Sequence, residues 1–81
     1  MTVYVDDMRA AFRGMKMCHM WSADVDELHT MARQIGLRRE WFQGDHYDVS
    51  WSKRSEALQH GAVAVSIREL GKLILEHRRG G

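Results

Sequence analysis

Cysteine is the scarcest reactive group in this 81-residue chain: Cys18 stands alone. That excludes an internal disulfide and also the CxxC pairs of a zinc ribbon or a redox centre. Proline is absent while methionine reaches six residues, a balance that favours an adaptable core. Long hydrophobic runs are missing too. The longest apolar stretches, such as residues 61–65, fall far short of a bilayer span, and the amino terminus shows no basic-then-apolar leader pattern. A cytoplasmic protein without membrane segments is expected. Charge of one sign is also scarce, because 12 Lys and Arg face 11 Asp and Glu for a formal charge of +1. The overall basic field of a nonspecific nucleic-acid binder is therefore missing, and only local patches remain. No internal repeat or low-complexity segment occurs.

What is present is an ordinary globular composition, 44% hydrophobic and 28% charged. The length predicts one α/β domain over residues 1–78 with a flexible tail at 79–81, close to the lower size limit for an unstapled core. Residues 2–5 are β-branched and aromatic and predict a strand that stops at Asp6 and Asp7. Residues 8–14 read as a loop or short helical turn. A second strand over 16–21 places Met17, His19 and Trp21 on one face and Lys16, Cys18 and Met20 on the other. Ser22 and Asp24 are both N-cap candidates, and Asp24 with Glu27 approximates a capping box. Val25, Leu28, Met31, Ala32 and Ile35 then form a helical stripe, closed in the Schellman manner by Gly36 and apolar Leu37.

A basic-aromatic connector follows over 38–43, with Trp41 expected in the core. Residues 46–51 alternate as a strand, with His46, Asp48 and Ser50 on one face and Tyr47, Val49 and Trp51 on the other. Ser50 or Ser52 caps a short helix that Gly61 ends, residues 62–65 form a buried-type strand, and Ser66 with Glu69 makes a full capping box. The last helix runs to near Arg78 with Ile67, Leu70, Leu73 and Ile74 on its face. Gly71 inside it costs roughly 1 kcal/mol relative to alanine, which suggests close packing there. The order β-β-α-β-α-β-α predicts a sheet of about four strands, mostly parallel or mixed, with three helices. The joint between the first two strands fits a loose antiparallel hairpin as readily as a connection to a distant neighbour.

Chemistry is expected beyond the carboxyl ends of strands, where helix N-termini present free amides. Asp6 and Asp7 sit at such an end and can bind a divalent cation, or else one caps the following turn while the other is solvated. In Gly44, Asp45, His46, Tyr47 and Asp48 a turn signal meets an imidazole and two carboxylates. His46 and Asp48 share a strand face and can serve one metal or one proton path. The plainer reading has Asp45 stabilising the turn with Gly44, His46 at the edge of the core and Asp48 pairing with an arginine. Asp6 and His46 converge only if the His46 strand runs antiparallel to the first, or if residues 44–48 are loop. Cys18 and His19 point to opposite faces, so Cys18 is expected as core filler. His29, His60 and His77 read as structural or solvated. Arg38, Arg39, Trp41, Phe42, Lys53 and Arg54 form a cluster able to grip phosphate or stack bases.

Taken together, residues 1–7, Cys18-His19-Met20, Asp26-Glu27-Leu28-His29 leading to Ile35-Gly36, the Gly44 to Asp48 stretch, Arg54 and Gly61-Ala62-Val63 resemble a small uncharacterised family of bacteria and tailed phages, domain of unknown function 4031. The resemblance covers nearly the whole chain, and the His-Tyr-Asp stretch is its most specific part. Relatives often carry proline after the first strand, where this chain has Arg9-Ala10-Ala11. The resemblance implies a polar signature of Asp6, His19, His46, Tyr47, Asp48 and Arg54, spread over three strands and a helix start as a shared pocket would be. The first expectation is a pocket for a phosphate-bearing or metal-coordinated small ligand, with hydrolysis in view. Asp6, His46 and Asp48 would be its catalytic groups and the holders of a divalent ion, with His19, Tyr47, Arg54 and Arg39 as ligand contacts. The second is a non-catalytic phage accessory module that binds a host protein or nucleic acid through residues 38–42, its polar residues forming a buried network. The setting is the bacterial or host cytoplasm, and so small a core makes a homodimer easy to form.

Overall fold

Three of the other four strands pair with β3, Met15–Ser22, the longest of five among the described residues. In the computed structural model, which describes residues 2–80, β4 (His46–Ser50) runs antiparallel along one edge of β3. The other edge is shared end to end by β1 (Val3–Val5) and β2 (Ala10–Phe12), both antiparallel to β3. β5 (Val63–Ala64) adds parallel to β1. The helices are α1 (Val25–Gln34), α2 (Trp51–Gln59) and α3 (Ile67–Arg78), with a 3₁₀ turn at Arg39–Trp41. The α/β class and mixed sheet expected from the sequence are present, with one strand more than expected.

That extra strand corrects the reading of residues 8–14 as a loop or helical turn. Ala10, Ala11 and Phe12 pair with Met17, Lys16 and Met15 across a two-residue turn. Positive φ at Arg13 (49°) and Gly14 (79°) is the signature of a type I′ hairpin. All three β2 residues are exposed, so no alternation of burial marked them. The joint between the first two predicted strands is antiparallel pairing of β1 with β3, with β2 inserted between.

One face of the sheet is the core. Val3, Val5, Cys18, Met20, Tyr47 and Val49 point to it and are covered by Leu28, Met31, Ala32 and Ile35 of and beside α1 and by Ala57 of α2. Each fully buried aliphatic side chain there contributes about 1.5–3 kcal/mol. Asp24 caps α1 by accepting the amides of Asp26 and Glu27, and Leu37 N–H to Ala32 together with Gly36 N–H to Arg33 completes the Schellman ending. Ser50 caps α2 by accepting from Lys53 N–H, so Trp51 opens a helix instead of ending a strand, and its indole donates to the Met8 carbonyl. Trp41 is 49% exposed, not core; Phe42 packs in its place, against His29 and Tyr47.

The second face carries Tyr4, Asp6, His19, Trp21, His46 and Asp48, the residues that alternate with the core set, and α3 stands over it. The Ser66–Glu69 capping box forms as expected, and Asp7 Oδ1 accepts the Ile67 amide at 2.9 Å. Only Leu70 of the α3 stripe is buried. Gly71 is not a close-packing site, since a Cβ added there meets nothing within 4 Å. It opens on the space between α3 and the sheet. In the predicted tail, Arg79 caps α3 and Gly80 N–H reaches the His77 carbonyl; Gly81 lies outside the described residues. No helix of the described residues is long and apolar enough to cross a membrane.

Candidate metal centre

Between α3 and the second sheet face lies a cleft of about 530 Å³. Its floor is polar, with Asp6, His19, Asp45 and His46, and its wall is the apolar side of α3, including Ile67, Leu70 and Ile74. Register builds the floor. His19 lies directly across from Asp48 and Trp21 across from His46, while on the opposite edge of β3 the Asp6 amide donates to the His19 carbonyl at 3.1 Å.

Asp6 is fully buried. Its Oδ1 accepts the amides of His19 (2.9 Å) and Met8 (3.2 Å), and its Oδ2 meets His19 Nδ1 at 2.6 Å. A buried carboxylate is tolerated only when so partnered. The cost is offset by three polar contacts, and the gain is one fixed orientation of the His19 ring.

His46 is held in the same manner. Its Nδ1 lies 2.7 Å from Asp45 Oδ1, and Asp45 Oδ2 accepts from Arg78 at 2.9 Å. The hydrogen bond with His46 is the main influence holding the Asp45 carboxyl below its usual range, with Arg78 adding to it. His46 Nε2 faces Asp48 Oδ1 at 3.3 Å, and Asp48 Oδ2 accepts from Gln43 Nε2 at 2.6 Å. A bare nitrogen lone pair facing a carboxylate oxygen is repulsive, so that gap calls for a cation, either a proton or a metal ion. The His19 and His46 rings meet edge to face at 5.2 Å, and one ligand atom from each of His19, His46 and Asp48 lies within 4.8 Å of the other two. With both Nδ1 atoms occupied by carboxylates, both Nε2 atoms are left for a metal.

The expected site residues thus divide. Asp6, His19, His46 and Asp48 share the second face, with Asp6 acting behind His19. Tyr47 lies on the core face, its hydroxyl 2.8 Å from His29 Nδ1 and its pKa raised by burial. Arg54 donates from Nε to the Asp6 carbonyl at 2.8 Å and lays its guanidinium 4.2 Å from the Trp51 ring centroid, bracing the Asp6 loop from the α2 side. Arg39 stacks on Phe42 at 5.0 Å. The guanidinium that lines the cleft is Arg78.

Two plain readings change as well: Asp48 pairs with Gln43 instead of an arginine, and Asp45 does more than stabilise a turn. Asp6 accepts the Met8 amide of the following turn and Asp7 is exposed, as the plainer reading had it, while Asp7 also accepts the first amide of α3. The convergence of Asp6 and His46 on one cleft needs neither reversed strands nor a loop. β4 runs in the same direction as β1, and β3 between them sets His19 opposite both Asp6 and Asp48. Cys18 is core filler, as expected: it is buried, and burial, reinforced by Asp6, pushes its thiol up to about 12, far from any reactive thiolate. Sequence reasoning missed Gln43, Asp45 and Arg78 as members of the site. Asp45 had a local signal in its adjacency to His46; Arg78 had none.

The family model described as "Protein of unknown function (DUF4031)" matches residues 3–77. No curated protein and no solved structure matches the chain.

Proposed function

The chain belongs to the DUF4031 family, and from the cleft of this member we propose a divalent-metal site that binds and hydrolyses phosphate esters. One observation carries the reading: both imidazoles are pinned at Nδ1 by carboxylates, Asp6 at 2.6 Å and Asp45 at 2.7 Å, beside the Asp48 carboxylate. Carboxylate–histidine pairs of this kind fix the tautomer and raise the basicity of a metal-binding ring. Two histidines and one carboxylate leave further coordination positions open, and imidazole ligands suit Zn²⁺, Fe²⁺ or Mn²⁺ better than Mg²⁺.

An ion held there supplies Lewis-acid polarisation of a phosphoryl oxygen and activation of water. In the hydrolysis a bond forms from the water oxygen to phosphorus, the ester P–O bond breaks, and the proton released by water ends on the departing oxygen. Gln43 keeps Asp48 turned toward His46. Arg78, with N–H groups left over from its bond to Asp45, offers donors to non-bridging phosphate oxygens at the cleft mouth. We place this activity in the cytoplasm of a bacterium or of its phage-infected host, as the family resemblance implies.

Metal analysis of protein purified without chelator tests the reading. About one transition-metal ion per chain is expected, and His46→Ala is expected to abolish it. A wild-type chain with no stoichiometric metal and no thermal shift from divalent ions or nucleotides would sink the idea. That same result would favour the second reading, a non-catalytic module that presents half-exposed Trp41 with Arg38 and Arg39 to a macromolecule.

A further inference from the structure

The sheet face that bears His19 does not stop at the cleft. Residues two apart on a strand share a face, and so do directly paired residues, which puts Met17, Met15, Ala10 and Phe12 in line with His19. Four residues separate His19 from Met15, about 13 Å at ~3.3 Å per residue. Beyond Met17 the β2–β3 ribbon is uncovered: Phe12 is 54% and Met15 45% exposed. Neither side chain contributes to the core. The Arg13 guanidinium lies 5.2 Å from the Phe12 ring centroid at the turn. Arg9, at the root of the ribbon, lies 4.7 Å from the Trp51 ring that Arg54 also contacts.

Charge sorts with this shape. From Met8 to Ala23 the sequence holds Arg9, Arg13 and Lys16 and not one Asp or Glu, in a chain whose overall balance is close to neutral. An exposed aromatic ring with one guanidinium beside it, on a ribbon free of acidic residues, matches a ligand that has flat faces and a negative backbone.

We infer that the β2–β3 ribbon is a binding arm for single-stranded nucleic acid, which it lays along the sheet face toward His19, His46 and Asp48. A base stacks on Phe12, Arg13 at the turn meets its phosphate, and the ~13 Å to His19 spans roughly four nucleotides at a stacked rise of about 3.4 Å; Lys16 and Arg9, on the opposite face of the ribbon, add positive charge from behind. A duplex keeps its base faces hidden, so the exposed ring selects an unpaired strand. This rests on the metal-site reading and names a polynucleotide as the phosphate ester that reaches it.

Fluorescence anisotropy of a labelled 12-nucleotide single strand and of the matching duplex, with the full chain, tests the arm. The single strand is expected to bind more tightly, with affinity falling as salt rises. Phe12→Ala should weaken it roughly tenfold, and Arg13→Glu should weaken it and flatten the salt dependence. Both positions are exposed and outside the metal trio, so both variants should keep the wild-type metal content and circular dichroism. Absence of binding at low salt, equal affinity for duplex, or variants that bind like wild type would each overturn the arm. Metal content measured in the same samples shows separately whether the cleft reading survives. A wild-type dimer that Phe12→Ala converts to monomer in sedimentation would assign the tip to a second copy of the chain and likewise overturn the proposal.

Discussion

A neutral imidazole has one nitrogen that donates and one that accepts, and the contribution of Asp6 and Asp45 is to decide which is which. Asp6→Asn tests this at the level of one atom. Asparagine keeps the volume and one oxygen for the buried amides of Met8 and His19, but it can turn an N–H₂ toward His19 Nδ1. The ring then accepts at Nδ1 and carries its proton on Nε2, where the proposed metal would bind. Metal affinity, measured by competition with a chromophoric chelator, is expected to fall 10–100-fold. Unchanged affinity would show that Asp6 serves the fold alone. These partnerships were only partly legible. His46 and Asp48 shared a face by strand parity, which is local, whereas Asp6 and His19 are joined across a ladder whose register depends on the whole sheet.

The elements that read most clearly from sequence were those whose ends and faces are set locally. The Asp24 cap and Schellman ending of α1 and the Ser66–Glu69 box of α3 rest on residues within one turn of each other. β2 was invisible because it is exposed on both faces, and Gly71 was misread because its helix stands away from the sheet. That misreading gives a prediction: Gly71→Ala is expected to raise stability by about 0.5–1 kcal/mol, since alanine removes the helix-interior penalty without a clash. Urea unfolding measures it, and a lowered midpoint would mean that α3 lies closer to the floor than described. The added methyl also takes space from the cleft, so the stabilised variant should bind cleft ligands less well.

At the scale of the whole molecule, the domain divides its sheet between a packed face and an open one, a division implied by alternation in β3 and β4. Which helix covers which face was not legible, because it depends on crossovers between distant segments. Three titratable groups also set a pH window. His29, beside the Tyr47 hydroxyl, has its pKa lowered from 6.5 chiefly by burial, with Arg39 adding to it. Its stabilising effect is therefore present above pH 6.5 and lost as pH falls through the folded value. The lowered pKa of Asp45 acts in the same sense further into acid, below its ordinary 3.8. Cys18 has the opposite sign: raised from 9.0 to about 12, it contributes stability that is present below pH 9.0 and lost between the two values. Urea midpoints should form a plateau between about pH 6.5 and 9 and fall on either side, and Cys18→Ala should flatten the alkaline limb. Midpoints that keep rising above pH 9 would contradict this. The two neighbouring carboxylates at the end of β1 have a mechanical consequence. Asp6 steadies a ring on the floor while Asp7, one peptide unit later, tethers the first turn of α3. Floor and roof therefore share a hinge at the end of β1, as they share the Arg78–Asp45 bond further along, so a ligand that levers the roof outward would also loosen the grip on the proposed metal, and an ion seated there would make the roof harder to lift.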